Sequence, residues 1–311
     1  MKEKPGSGNA PPPRASSRRP PRPAGPLLWI GPSLLLIALV VLTPIFFMVW
    51  TAFRNIDVIG IDHGWAGLAD FRRLFAEPDL ASVVVRTLLW VAVVVGATMV
   101  LSLGLAQLFH QRFPGRRVAR WALIAPWAAS VFMTAVIFRW MLNPRSGAIN
   151  IALHDLGLVH RLGTAQADWL GRPDTAFAWM AAVAVFVSLP FTTYTILAGL
   201  QIIPGEAYEA ARMDGAGRWR TYGSITLPLL RPALTVAALI NIMNVFNSFP
   251  IIWAMTGGGP GTETATTTVF MYQLKTSSIP ESAAMSMVNF AIVILIVLAF
   301  LGSNRHKGEV L

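Results

Sequence analysis

The chain contains no cysteine and carries little charge. The absence of cysteine excludes disulfides, thiolate metal sites and a cysteine nucleophile. Asp, Glu, Lys and Arg make up 13% of the 311 residues, whereas soluble domains carry about 25%. Hydrophobic residues make up 54% and fall in several long runs. This combination predicts a polytopic membrane protein rather than a globular enzyme.

Sequence patterns that support catalysis are also missing. The chain has no G-x-x-x-x-G-K-[S/T] phosphate loop, and its glycine run at 257–259 is followed by Pro260. The five histidines are scattered, with no close pair at metal-ligand spacing. No serine lies in a nucleophile-elbow pattern. A membrane enzyme and a subunit that hydrolyses ATP by itself are therefore both disfavoured.

Six apolar runs have the length needed to cross about 30 Å of hydrocarbon as helices. They predict an all-α polytopic membrane protein with spans at 27–50, 87–109, 119–142, 176–200, 233–255 and 283–302. The first run has 24 residues, more than the roughly 7–15 of a secretory signal, and we interpret it as a retained span. Pro126 and Pro190 fall inside spans three and four and predict bends there.

The two ends of the chain are predicted to be cytoplasmic tails, at 1–26 and 303–311. The first tail is rich in Pro, Arg and Ser and is predicted to be disordered. With both termini inside, 16 of the 25 Lys and Arg residues lie on the inner side and 8 on the outer side, and Arg139 lies near the outer end of span three. This bias supports the orientation. It also explains the net charge of +10 without a nucleic-acid partner.

A polar stretch separates spans four and five, with the sequence EAYEAARMDGAGRWRTYGSITLPLLRP at 206–232. Acidic side chains suit the start of a short helix, and the Asp-Gly pair predicts a turn that leads into a second helix. Small alanines would let a partner surface approach closely. We interpret this segment as a docking projection, and the alternative is an ordinary amphipathic loop. The candidate docking residues are Glu206, Glu209, Ala210, Ala211, Asp214, Gly215 and Ala216.

Span five carries polar side chains on one helical face. Asn241, Asn244 and Ser248 are spaced i, i+3 and i+7. Amides both donate and accept hydrogen bonds, as sugar hydroxyls do, and Phe246 and Phe249 could stack on a sugar. The face therefore predicts a path for a neutral polyhydroxylated ligand. The alternative is hydrogen bonding between membrane helices, which commonly uses Asn and Ser.

The polar stretch resembles the cytoplasmic signature of the permease subunits of bacterial ABC importers, which reads EAA, three residues, G, then about nine residues to I-x-L-P. The matching residues are Glu209, Ala210, Ala211, Gly215, Ile225, Leu227 and Pro228. The segments FNSFPIIWAMTGGGP at 246–260 and MLNPRSGAIN at 141–150 are similar to carbohydrate-importer permeases of the maltose, trehalose and glycerol-phosphate type. The likeness covers most of 27–302.

The resemblance implies a non-catalytic permease subunit of a carbohydrate importer in the bacterial plasma membrane. It implies a second, similar permease and an extracytoplasmic sugar-binding protein. It also implies two ATPase subunits, which use ATP and Mg and bind the docking loop. This chain would itself bind no cofactor and no metal. Carried over by position, the ligand-lining face falls on Ser188, Phe191, Asn241, Asn244, Val245 and Ser248. Val245 replaces an amide of the maltose permease, so the resemblance does not identify the sugar.

A secondary transporter or channel for a neutral polar solute, acting without an ATPase, is the alternative function. Ion-coupled transporters usually need titratable groups inside the membrane. Arg139 is the one charged residue that borders on a predicted span interior. The sequence therefore favours the importer subunit.

Overall fold

The computed structural model of this chain describes residues 25–305, so the predicted tails at 1–26 and 303–311 lie largely outside the described residues. Contacts divide the chain after Phe47 into two units. Helix α1 (Gly25–Ala52) crosses that division. In the second unit a short antiparallel hairpin follows, formed by β1 (Arg54–Ile56) and β2 (Asp62–Trp65).

The rest of the described chain is helical and confirms the predicted all-α class, with the hairpin as a small addition. The helices are α2 (Ala69–Ala76), α3 (Leu80–His110), α4 (Arg116–Ala128), α5 (Val131–Met141), α6 (Ala148–Asp155), α7 (Pro173–Ile202), α8 (Gly205–Met213), α9 (Arg218–Thr221), α10 (Leu227–Phe246), α11 (Phe249–Met255), α12 (Thr267–Leu274) and α13 (Ile279–Arg305). One turn of π-helix, Tyr222–Thr226, joins α9 to α10.

Five helical segments of the described chain are long and apolar enough to cross a membrane. They are Ile30–Ala52, Leu80–His110, Pro173–Ile202, Arg218–Phe246 and Ile279–Phe300. They overlap predicted spans one, two, four, five and six, but the segment at predicted span five runs from Arg218 to Phe246 rather than from 233 to 255. A multi-pass membrane protein is therefore confirmed.

The third predicted span, 119–142, is not one helix. It is divided between α4 and α5, which are separated at Ala129 and Ser130. Pro126 falls in the last turn of α4 and does not itself end the helix, because proline disfavours helix in the residues before it. Helix α7 likewise stays helical through Pro190. Six membrane crossings thus remain a prediction.

The fifth predicted span, 233–255, is also interrupted. Helix α10 ends at Phe246, and α11 begins at Phe249 with Pro250 in its first turn. Proline fits this position because its missing N–H would have had no acceptor there in any case. The two residues between the helices are Asn247 and Ser248.

Helix α3 packs along α7, and α10 packs against both. Trp90 of α3 is fully buried in the larger apolar cluster. A second cluster joins α3, α7 and α10 closer to α8 and includes Phe109, Ile196 and Leu230. In this second region α7 and α10 approach closely, because a Cβ atom added to Gly199 would lie 2.4 Å from the Cβ of Ala233.

In the segment at 141–150 that resembles sugar permeases, one side chain, that of Asn150, makes several hydrogen bonds. Asn150 is buried, and the two N–H bonds of its Nδ2 are shared among three carbonyl oxygens, those of Leu142 at 3.1 Å, Asn143 at 3.0 Å and Ala167 at 3.1 Å. Its Oδ1 accepts a hydrogen bond from Trp169 Nε1 at 2.6 Å. The amide thus satisfies carbonyls of irregular backbone, which gives this segment a structural role.

Candidate functional site

A cavity of about 680 Å³ lies at the two helix interruptions, between α4, α5, α7, α10 and α11. Each of the six residues predicted to form the substrate path lines it: Ser188, Phe191, Asn241, Asn244, Val245 and Ser248. Two of these come from α7 and four from α10 and the interruption after it. The structure therefore brings the two predicted groups together.

Asn241 is the polar group in the cavity with an unused donor. Its side chain is 2% exposed, and no hydrogen-bond partner for its Nδ2 is found among the described residues. A buried donor without a partner costs about 1–3 kcal/mol. Asn244 lies one turn further along α10 and is exposed. The Asn241 Nδ2 atom itself is buried, whereas the exposed amide of Asn244 can meet a ligand with acceptor oxygens directly.

Ser248 is already engaged with neighbouring helices. Its hydroxyl donates to the carbonyl oxygen of Val245 and accepts a hydrogen bond from Trp90 Nε1 at 3.2 Å. The same Trp90 nitrogen lies 3.2 Å from the Val245 carbonyl oxygen. For Ser248, contact between helices is therefore the observed role, although its side chain borders the cavity.

Several cavity residues were not among the predicted path residues. Trp127 and Val131 reach the cavity from the interruption between α4 and α5, and Asn247 reaches it from the interruption after α10. Regular helical spacing would place Asn247 off the face of Asn241, Asn244 and Ser248, but α10 ends one residue before it. Pro250 was the sequence signal for that ending, because proline disfavours helix in the residues just before it.

A second cavity, of about 600 Å³, lies beside the ends of α5 and α11 and includes Arg139, Asp168 and Pro260 in its wall. Arg139 Nη1 donates to the carbonyl oxygen of Ala254 at 3.1 Å, joining α5 to the last turn of α11. The guanidinium thus donates a hydrogen bond to one of the carbonyl oxygens that have no acceptor role within the helix at its end.

The glycine run at 257–259 has a packing explanation. Gly258 has a φ of 92°, and a Cβ atom there would lie 2.7 Å from Gln273 Nε2 and 2.9 Å from a methyl of Val269. Gln273 Nε2 donates to the carbonyl oxygen of Gly257 at 3.0 Å. The run therefore allows α12 to approach the turn after α11.

The polar stretch between α7 and α10 forms a helix–turn–helix of α8 and α9. Gly215 has a φ of 70°, its N–H donates to the carbonyl of Arg212 at 3.1 Å, and the N–H of Ala216 donates to the carbonyl of Ala211 at 2.9 Å. These two bonds form a Schellman motif, in which the residue after the helix adopts the left-handed conformation that glycine favours. The turn is therefore fixed by backbone bonds.

The predicted docking residues of this helix pair differ in exposure. Glu206, Glu209, Ala210, Asp214 and Gly215 are exposed, and Ala216 is half-buried. Ala211 is 4% exposed, so its methyl group packs inside the projection.

The most exposed apolar side chains of the helix pair lie on either side of the turn. Met213 and Trp219 are each 88% exposed, and neither was among the predicted docking residues. Their signal in the sequence was two large apolar residues within a polar loop.

The hairpin after α1 is held by two carboxylates. Asp57 Oδ1 accepts hydrogen bonds from the backbone N–H of Ile61 at 2.8 Å and of Ile59 at 3.2 Å, and Oδ2 lies 3.3 Å from His63 Nε2. The Ile61 bond is the main cause that lowers the pKa of Asp57 below its ordinary value. Asp62 accepts a hydrogen bond from Arg54 Nε at 2.8 Å, which lowers the pKa of Asp62.

The apolar helices, the cavity at their interruptions and the exposed helix pair α8–α9 are features expected of a membrane transport subunit. The chain belongs to the family described as binding-protein-dependent transport system inner membrane component, which matches residues 98–306. The resemblance to ABC importer permeases is thereby confirmed.

Individual relatives agree with the family. A probable ABC transporter permease protein of Brucella suis is 38% identical over 286 residues, covering 91% of this chain and 98% of that protein. The trehalose/maltose transport system permease protein MalF of Thermococcus litoralis is 30% identical, covering 91% and 94%. A bacterial alginate ABC transporter, crystallised with a pentasaccharide-bound periplasmic protein, has the same fold, with a TM-score of 0.77, 20% identity and coverage of 91% and 94%.

The described residues, 25–305, contain no group of three or more His, Asp or Glu side chains that could hold a metal ion. The cavity offers hydrogen-bonding amides and aromatic rings, and the helix pair α8–α9 offers an exposed surface. The first can bind a ligand, and the second can contact another protein.

Proposed function

We propose that this chain is the permease subunit of an ATP-driven carbohydrate importer and forms half of its translocation path. The observation that carries the proposal is the cavity of about 680 Å³, lined by all six positions carried over from sugar permeases. The names of the relatives support a sugar, since one is a trehalose and maltose permease.

The chemistry of the cavity favours a neutral polyhydroxylated ligand. Its polar lining consists of amides and hydroxyls, with Phe191 and Trp127 as aromatic surfaces, and no charged side chain is among the described residues that line it. Sugar hydroxyls can bond to the exposed amide of Asn244, and they can accept from the buried donor of Asn241 once the side chains that cover it move aside. A ring face can stack on an aromatic side chain. A phosphorylated ligand would lack a cation at this place.

The helix pair α8–α9 docks on an ATPase subunit in this proposal. Glu206, Glu209, Ala210 and Gly215 form the exposed contact surface, and Met213 and Trp219 are the apolar anchors. Large apolar or aromatic side chains at a protein interface commonly carry much of the binding energy. Asp214 and Ala216 support the turn, and Ala211 supports the helix from within.

The complete transporter would contain a second permease, two ATPase subunits and an extracytoplasmic sugar-binding protein. The ATPase subunits would bind ATP and Mg, and this chain would be non-catalytic and without a cofactor of its own. It would cross the bacterial plasma membrane six times, with α4 and α5 together as the third crossing and both termini in the cytoplasm. The excess of arginine and lysine on the inner side supports this orientation.

The test is transport by the assembled complex in proteoliposomes. We expect Asn241→Ala with Asn244→Ala to lower uptake of a neutral disaccharide at least tenfold, because two amide contacts to sugar are each worth about 1 kcal/mol or more. Asn55→Ala, which removes an exposed amide of β1, is the matched control. Unchanged uptake by the double variant, or gradient-driven uptake by this chain alone, would contradict the proposal.

A further inference from the structure

The middle of the chain carries positive charge without any acidic residue. Positions 80–154 contain no Asp and no Glu, yet they include seven arginines, and four of these lie within nine positions: Arg112, Arg116, Arg117 and Arg120. Arg112 lies in the connection between α3 and α4, and the other three lie in the first turns of α4. Counter-charge for this group must therefore come from another part of the chain or from another molecule.

Three of these arginines line one concave site. Arg112, Arg116 and Arg117 surround a pocket of about 470 Å³ together with Phe113, Gly115 and Val118. Gly115 has a φ of 85°, which lets the chain turn sharply into α4. The first-turn N–H groups of α4 lack acceptors within the helix and add positive potential at the same place.

The guanidinium groups of this pocket have no carboxylate partner within the described chain. The ion pairs found among residues 25–305 involve other cations, namely Arg54, His63, Arg73 and His154. Arg116 donates only to a backbone carbonyl, that of Gln111, at 3.2 Å. The neighbouring Arg120 also donates to a backbone carbonyl, that of Phe109, at 2.8 Å.

The surroundings of the pocket are those of a membrane surface. Helix α3, an apolar helix of 31 residues, ends at His110 immediately before the pocket. On the other side Val118 is 72% exposed and Trp121 is 73% exposed. Tryptophan is enriched where lipid meets water, and arginines just beyond a spanning helix attract anionic headgroups.

We propose that the α3–α4 connection binds the phosphate of an anionic phospholipid, with Arg112, Arg116 and Arg117 around the headgroup and Val118 and Trp121 against the acyl chains. The exposed apolar side chains favour a lipid over a soluble phosphate. They also favour a lipid over an acidic protein surface, because they adjoin a spanning helix. This inference is independent of the sugar and of the docking role of α8–α9.

The experiment measures lipid binding to the purified full chain in phosphatidylcholine nanodiscs with and without phosphatidylglycerol, by native mass spectrometry. The test variant is Arg112→Gln with Arg116→Gln and Arg117→Gln. We expect the affinity for phosphatidylglycerol to fall on the order of 100-fold, because each arginine near the membrane surface contributes about fivefold. Binding of phosphatidylcholine should stay the same.

The matched control replaces three exposed arginines elsewhere, Arg72, Arg145 and Arg161, by glutamine. It makes the same change in net charge, and phosphatidylglycerol binding should be retained. Equal loss in the control, or full retention in the test variant, would overturn the proposal. The corresponding triple lysine variant keeps the charge and should retain most of the binding, which guards against misfolding of the glutamine variant.

Two further arms separate the sources of the anion. Inorganic phosphate added in excess should not displace phosphatidylglycerol, and displacement at equal affinity would show a soluble anion site instead. If the test variant keeps the lipid but no longer co-purifies with the ATPase subunit, the arginines contact protein and the lipid proposal is wrong.

Discussion

At the scale of single residues, the cavity contains polar groups of two kinds. Ser248 is bonded to Trp90 and Val245, whereas the Nδ2 of Asn241 has no partner among the described residues. Sequence spacing placed Asn241 and Ser248 on one face but could not separate these roles. The partner of Ser248 lies 158 positions away along the chain, so only tertiary structure shows that this hydroxyl is occupied.

Gly215 gives a test of the docking turn. Its φ of 70° is in the left-handed region, where alanine costs roughly 1–2 kcal/mol. We expect Gly215→Ala to loosen the Schellman turn and to lower sugar-stimulated ATP hydrolysis of the assembled complex several-fold. Sugar uptake should fall in parallel, because stimulated ATP hydrolysis and uptake both depend on the contact between α8–α9 and the ATPase subunit.

Gly217 is the matched control for this substitution. It lies two residues later, its φ is −68°, and a Cβ atom there would meet nothing within 4 Å. Gly217→Ala should leave ATP hydrolysis nearly unchanged. Equal behaviour of the two variants would show that the turn conformation at 215 does not matter for coupling.

At the scale of elements, continuous apolar runs predicted continuous spans, and two of these are interrupted. The interruption after Phe246 had a signal in Pro250, which occupies the first turn of α11. The interruption at Ala129 and Ser130 had no such signal, since alanine favours helix and Pro126 disfavours helix only in the residues before itself. Apolar length thus predicted which segments form long apolar helices, but it did not predict the interruptions at the cavity.

The contact of α7 with α10 predicts a strong effect at Gly199. A Cβ atom there would lie 2.4 Å from the Cβ of Ala233 and 2.9 Å from a methyl of Leu230. We expect Gly199→Ala to lower the free energy of unfolding by about 1–3 kcal/mol through overpacking. Thermal unfolding of the purified chain measures the change.

A second substitution makes this prediction specific. Ala233→Gly in the Gly199→Ala background should restore most of the lost stability, because it removes the opposing methyl group. Gly104→Ala in α3, where a Cβ atom meets nothing within 4 Å, should be neutral or stabilising by up to about 1 kcal/mol. Failure of the rescue would mean that the two helices do not approach at this point.

The hairpin after α1 should respond to acid. The pKa of Asp57 is lowered from its ordinary value of 3.8 in the folded hairpin. Its stabilising contribution is therefore fully present above the ordinary pKa and is lost as the pH falls through the lowered pKa. We expect amide hydrogen exchange at Ile59 and Ile61, corrected for intrinsic rates, to speed up in that acidic window.

Asp57→Asn is the control for the acid response. The amide cannot be protonated in this range, so the protection of the two hairpin amides should not depend on pH through Asp57. An unchanged acid response in this variant would assign the effect to another group, such as Asp62, whose pKa is also lowered.

At the scale of the whole molecule, one continuous path of helix joins the helix pair to the cavity. Helix α9 passes through the π turn into α10. Asn241 lies about 21 Å along α10 from its first residue, Leu227, at 1.5 Å per residue. Helix α10 also packs against α7, which supplies Ser188 and Phe191. A displacement of α8–α9 can therefore reach both walls of the cavity through packed helices.

This arrangement requires the helix pair to lie in the cytoplasm, and the chain permits a direct test. It has no native cysteine, so a cysteine introduced at an exposed position is the only thiol. We expect Gly217→Cys to react with a membrane-impermeant maleimide only from the inner side. Ser146→Cys, in the turn after α5, should react only from the outer side.

A third position decides how α4 and α5 cross the membrane. Arg116→Cys at the start of α4 should label from the inner side. Together with outer labelling at position 146, it would establish that the two short helices make one crossing. Outer labelling of position 217 would place the helix pair away from any cytosolic ATPase and would contradict the docking role. Inner labelling of both 116 and 146 would leave the described chain with five crossings.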